Sequence, residues 1–399
     1  MPFRCLTGLA CVAATLALAP VAAGALTMYM GAAEDEGRNS DPLVATAKMD
    51  LARDAGFEAI RVTALWRPGL SELPPDQLEA LRSIAAAGDF NGIKIVVTVM
   101  PFGSSVTPLT AAARAEFASF AADVVARTTI REVIVGNEPN LNRYWMPQFG
   151  RRGEDVAAPA YVALLAQTYD AIKAVDPATF VLGGSVSPRG SDRPDLPRHT
   201  HSPTAFITDM GKVYRAGDRR RPLMDGFAFH PYGENSSTPP DFVHPRSTSI
   251  GLADYPKLVS LLGRAFNGTP QLGSRLPIVY DEYGIDTRIP AAKVALYHGR
   301  EPASTRPVPE RLQAERYGEA LAMAACQPTV RGFLIFHVTD EPDFNRWQSG
   351  VYYADGTPKT SLPLVKHAME QIRDGQVECY ATPPRSVGSS RPVSGPIGV

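Results

Sequence analysis

Lys94-Ile95-Val96-Val97-Thr98-Val99, a helical stretch from Thr110 to Arg127, and Glu132-Val133-Ile134-Val135-Gly136 follow one another in this chain. The two outer runs are short, nearly all apolar and rich in Val and Ile, as expected of parallel strands buried on both faces. The amphipathic stretch between them is long enough to cross over and return the chain in the same direction. Together they spell a βαβ unit.

Working outward, the unit recurs in both directions. Further strands are expected at Leu26 to Gly31, Ala59 to Ala64, Phe180 to Gly184, Gly226 to His230, Pro277 to Asp281 and Gly332 to His337. Helices are expected at Leu43 to Ala55, Pro75 to Ala87, Pro159 to Val175, Pro203 to Ala216, Asp254 to Phe266, Pro309 to Cys326 and Leu362 to Arg373. Pro75, Pro159, Pro203 and Pro309 sit where helices would start, where a missing N–H costs nothing. Eight βα units in order predict an α/β fold, a single (β/α)8 TIM barrel. An open doubly wound sheet is the alternative, but no Gly-x-Gly-x-x-Gly turn follows the first strand.

Connections from helix to strand are mostly short, such as Gly56-Phe57-Glu58. Those from strand to helix are long: Pro139 to Ala158, Ser185 to Ser202, Pro231 to Ala253, Tyr283 to Val308 and Val338 to Ser361. All the long segments would leave the C-terminal ends of the strands, the face on which barrel enzymes build their sites. Much of the surplus of 36 prolines and 33 glycines falls in these loops.

The chain has 399 residues, and its 40 Lys and Arg against 41 Asp and Glu leave a formal charge of −1. This balance excludes a nucleic-acid partner held by bulk positive charge. Residues 1–25 read as a secretory signal: one early Arg, an apolar run and the small residues Ala23-Gly24-Ala25. An uncleaved anchor is the competing reading. No later stretch is long and apolar enough to span a bilayer, so the mature protein is expected outside the cell or in the periplasm, off the membrane, and as a monomer. Residues 26–379 would form the barrel, and 380–399, rich in Pro, Ser, Arg and Gly, a disordered tail. Export would leave Cys326 and Cys379. Cys326 ends the seventh helix and Cys379 follows the eighth, and these helices finish on the same face, so a disulfide is expected there.

Two glutamates end strands that face each other across the barrel mouth. The fourth strand runs into Asn137-Glu138-Pro139 and the seventh into Glu282-Tyr283-Gly284. Paired carboxylates over a cleft suit glycoside hydrolysis, in which one protonates the leaving oxygen while the other acts on the anomeric carbon. Each alone could equally cap a helix or bind a metal.

Val135-Gly136-Asn137-Glu138-Pro139-Asn140 and Val279-Tyr280-Asp281-Glu282-Tyr283-Gly284 resemble the strand-four and strand-seven motifs of the clan A retaining glycoside hydrolases, a superfamily of cellulase-like and β-xylosidase-like barrels. The resemblance covers about Leu26 to Arg373. It implies a glycosidase with Glu138 as acid/base and Glu282 as nucleophile, acting on an oligosaccharide, polysaccharide or other glycoside of β configuration, without cofactor or metal. It further implies that Asn137 binds the sugar 2-hydroxyl, that Arg61 pairs with the nucleophile, and that His230 and Tyr232 match the strand-six His-x-Tyr. Strand eight departs from the pattern, since Gly332 to His337 lacks the Trp that many clan members place beneath the sugar. Phe336, His337 or Trp347 would have to supply it. Trp66 and Trp145 are the leading candidates for sugar-stacking platforms, with Tyr144, Phe149, Tyr232 and Tyr283 beside them. Two other readings stay open: a non-catalytic sugar-binding barrel, and a metal-dependent hydrolase built on His230, Asp281, Glu282 and His337. The latter lacks a His-x-His at the end of strand one.

Overall fold

A computed structural model describes residues 28–379. The expected leader and tail lie outside these residues. Eight parallel strands, β1 (Tyr29–Ala33), β2 (Ala59–Trp66), β3 (Lys94–Pro101), β4 (Glu132–Val135), β5 (Phe180–Val186), β6 (Gly226–Phe229), β7 (Ile278–Tyr283) and β8 (Val330–Phe336), close into a barrel in chain order. Closure is made by β1, which pairs with both β2 and β8. The outer helices are α1 (Pro42–Asp54), α2 (Pro75–Asn91), α3 (Ala111–Arg127), α4 (Ala157–Val175), α5 (Pro203–Ala216), α6 (Tyr255–Phe266), α7 (Glu310–Ala325) and α8 (Leu362–Arg373).

Local sequence accounts for most helix starts. The side chains of Asp41, Thr110 and Ser202 each accept a backbone N–H of the first turn of α1, α3 and α5. Pro75 and Pro203 open α2 and α5, whereas Pro159 lies inside the first turn of α4, which begins at Ala157, and Pro309 is the cap preceding α7. The strand ends shift by one to three residues from expectation. The shift that matters is at β7, which runs on through Tyr283 and so carries Glu282 within the sheet.

Strand alternation divides the core. Val96, Ile134, Leu182, Ala228 and Val279, one from each of β3 to β7, pack together on the inward face. The outward residues meet the helices in a larger apolar layer. At the lower end of the barrel Glu132 is buried, accepting from Tyr29 Oη at 2.6 Å and pairing with Lys94 and Arg331. Cys326 and Cys379 form a disulfide, with Cα atoms 5.3 Å apart, tying the end of α7 to the segment after α8. No helix among the described residues is long and apolar enough to cross a membrane.

Candidate active site

The strand ends at the upper rim are shaped by backbone turns that only certain residues accept. Gly136 has φ +83°, and a Cβ there would stand 3.1 Å from the Tyr161 ring. Two residues on, Glu138 also takes a positive φ, +39°, which costs a non-glycine residue about 1–3 kcal/mol. Its neighbours hold it there. Glu138 N donates to Ser185 O at 2.8 Å, and Tyr161 Oη links the two strand ends, donating to Val135 O and accepting from Gly184 N, both at 2.7 Å.

Across the mouth, Glu282 is fixed through both oxygens. Arg61 Nη1 donates to Oε1 at 2.5 Å, and Tyr232 Oη donates to Oε2 at 3.1 Å. Arg61 is itself locked, since Nε donates to Thr98 Oγ1 at 2.6 Å and Nη2 to Asn137 Oδ1 at 2.9 Å. That bond sets which way the Asn137 amide faces, and its Nδ2 is left to the cleft, without an acceptor among the described residues. A buried guanidinium needs such partners.

His230 lies between the two glutamates. Its Nδ1 is 3.1 Å from Glu138 Oε1 and 3.4 Å from Glu282 Oε2, while Nε2 faces Ser185 Oγ at 3.0 Å and Asp281 Oδ2 at 3.2 Å. Burial opposes its cationic form, but the charges of Glu282 and Asp281, with hydrogen bonds to Asp281 and Glu138, push its pKa up to about 10. The surrounding carboxylates thus favour the imidazolium form of the ring. Asp281, fully buried, is held below the usual carboxylate range: burial would raise it, but His230 and Arg61 outweigh that cost.

The two glutamates open into a cavity of about 760 Å³ that Arg61, Asn137 and Tyr232 also line, whereas Thr98, Ser185, His230 and Asp281 stand behind its wall. Tyr144, Tyr232, Phe336 and Trp347 are its aromatic residues. Trp347 stacks on Tyr232, with centroids 5.1 Å apart and planes at 29°. It arrives from the loop after β8, which is pinned from behind: Lys359 Nζ donates to Asp340 Oδ1 and Thr287 Oγ1 at 2.7 Å and to Gln348 O at 2.9 Å. Gln348 N donates to Asp286 Oδ1 at 2.7 Å, and burial pushes that carboxyl up to about 7. His337 also lines the cavity, donating from Nδ1 to Ala33 O at 2.7 Å, with Nε2 3.7 Å from Glu341 Oε2. Burial works against its cation, yet Glu341 and Glu34 push its pKa up to about 9.

Trp66 and Trp145 are corrections to the sequence reading. Both are fully buried, and neither lines the cleft. Trp66 shares the outward parity of Ile60, Val62 and Ala64, so it packs edge-on against Phe117 and donates to Leu70 O. Two-residue alternation from inward-facing Arg61 would have revealed this. Trp145 packs edge-on against Tyr161 of α4. Phe149 lies against His201, and Tyr283 is buried behind Tyr232. Among the described residues no three His, Cys, Asp or Glu side chains are arranged to hold a metal ion.

Other proteins share this arrangement of strands. A GH5_18 protein from Streptomyces cattleya, solved with GlcNAc, superposes with a TM-score of 0.58 at 17% identity, covering 88% of this chain and 81% of that one. The fold is the one these glycoside hydrolases share. A glucosidase from Croceicoccus marinus gives 0.58 at 12% identity over 88% of this chain and 69% of its own. A GH5-4 broad-specificity endoglucanase from Clostridium longisporum gives 0.52 at 12% identity over 89% and 98%. Neither a family model nor a curated protein matches the sequence.

Sequence reasoning did not single out Ser185, Thr98, Arg143 or Arg189, which also belong to the site or its walls. Ser185, at φ +48° on the end of β5, follows two glycines, Gly183-Gly184, the one local signal of an unusual strand end.

Proposed function

We propose that this protein is a secreted retaining glycosidase acting on β-linked glycosides, with Glu282 as nucleophile and Glu138 as acid/base. The observation that carries the reading is the single nitrogen shared by the two carboxylates. Two oxygens 3.1 and 3.4 Å from His230 Nδ1 cannot be farther apart than those distances combined. That limit reaches only the lower end of the inverting range of roughly 6.5–9.5 Å and accommodates the retaining separation of roughly 5–5.5 Å.

In the first step Glu282 attacks the anomeric carbon as the glycosidic C–O bond breaks, and the proton of Glu138 passes to the departing oxygen. In the second, Glu138 takes a proton from water, whose oxygen displaces Glu282 and releases the sugar. Arg61 and Tyr232 orient the Glu282 oxygens, and the His230 cation offsets the negative charge gathered between the two carboxylates. The Asn137 amide is placed to donate to a sugar hydroxyl. Trp347 on Tyr232 offers a ring face to the sugar, the role that strand eight itself does not fill. Export is supported by the signal-like residues 1–25 and the Cys326–Cys379 disulfide.

A panel of 4-nitrophenyl β-glycosides is the test. Turnover by the wild-type chain should fall by several orders of magnitude in E138Q and E282Q, and azide should restore product, as the β-glycosyl azide, in E138A. Sugar binding without turnover in the wild-type chain would replace this reading with that of a binding protein.

A further inference from the structure

Most cations in the cleft are committed. Arg61 serves Glu282, Arg346 pairs with Glu341 at 3.3 Å, and His337 lies beside Glu341. Arg143 and Arg189 differ, because neither forms an ion pair among the described residues.

Arg189, in the loop after β5, is partly withdrawn from water, and burial lowers its pKa from the usual guanidinium value. It spends Nη1 on two backbone carbonyls, Gly233 O at 2.7 Å and Tyr232 O at 3.4 Å, which anchor the group beside Tyr232. Its Nε and Nη2 donate to nothing among the described residues. These two N–H groups form the side edge of the guanidinium, whose parallel donors match the two oxygens of a carboxylate. Arg143, five residues after Glu138, is exposed and lies over the Tyr144 ring at 5.5 Å. Both arginines line the same cavity as Glu138.

Glu138 protonates the leaving oxygen in the mechanism above, so the groups around it receive the leaving group. Resting on that reading, we propose that Arg189, assisted by Arg143, forms a leaving-group subsite that selects a carboxylate-bearing sugar, a uronic acid residue. The Nε–Nη2 edge of Arg189 takes the carboxylate, and Arg143 adds a second positive charge. Glu234, an exposed carboxylate on the same wall, stands beyond ion-pair distance of Arg189 and opposes the selection.

Calorimetric titration of the full wild-type chain with methyl β-D-glucuronide and with methyl β-D-glucoside tests this without requiring turnover. The glucuronide should bind about ten-fold tighter, the yield of one charge-assisted bidentate contact. The preference should shrink in R189Q, survive in part in R189K, which keeps the charge but loses the fork, shrink in R143Q, grow in E234Q and weaken in high salt. Equal binding of the two sugars, or a preference untouched in both R189Q and R143Q, overturns the proposal. In a second arm, glycosyl transfer from a 4-nitrophenyl glycoside to the same two acceptors should show the same ratio. Absence of any turnover would count against the glycosidase reading alone, since the binding arm stands apart from it.

Discussion

His230 Nε2 lies 3.2 Å from Asp281 Oδ2 at the centre of the barrel mouth, and neither side chain reaches solvent. A buried imidazole would ordinarily shed its proton, but here its pKa is raised to about 10 by Glu282 and Asp281 against the cost of burial. A raised folded-state pKa contributes stability that is fully present below the unfolded value of about 6.5 and lost as pH rises through the folded value. Urea stability should therefore decline as pH climbs from about 6.5 toward 10. By NMR, His230 should titrate near the top of that window in the wild-type chain and markedly lower in D281N. An unchanged midpoint in D281N would remove Asp281 from this role.

Arg61 is the hub of the contacts that fix Glu282. R61M deletes the cation from Glu282 Oε1 and the donor from Asn137 Oδ1. Breaking a buried pair by removing one partner costs roughly 3–5 kcal/mol, so the urea midpoint should fall clearly. kcat/KM should drop by at least about a hundred-fold, because a preorganised charge beside the proposed nucleophile is lost. Near-wild-type kcat/KM in a folded R61M protein would contradict the placement of Glu282.

The three tryptophans should separate by experiment. W66A and W145A empty fully buried sites and should cost about 3–5 kcal/mol of stability. W347A removes a cleft wall stacked on Tyr232, so it should cost less stability and act mainly through KM. Urea denaturation and initial-rate kinetics on one glycoside distinguish the two patterns.

The Cys326–Cys379 bond closes a separation of 53 residues, joining the end of α7 to the segment after α8. C326S/C379S should lose roughly 2–4 kcal/mol of stability by freeing the unfolded chain. Activity per folded molecule should match the wild type at temperatures below the unfolding transition.

The placement of Glu138 and Glu282 was legible from the chain because it depends on order alone. Eight βα units in sequence put strands four and seven across one mouth, and Glu138 and Glu282 stand at the upper ends of those two strands. Arg61 was legible for a related reason, as a charge inside an apolar strand requires a buried partner. Trp66 was misread although the same alternation contained the answer.

Sequence by itself determined the barrel, the face that carries the cleft and the two carboxylates, since hydrophobic period, loop length and strand order are local properties that add along the chain. Tertiary structure alone decided what surrounds them. Ser185, Thr98 and Asp281 meet Arg61 and His230 from different strands, at separations of up to 220 residues. Trp347 lines the cleft from a loop that Lys359 and Asp340 pin from behind. Such contacts arise from closure of the sheet, which brings distant strand ends within hydrogen-bond reach, and no local pattern records which hydroxyl or ring will stand there.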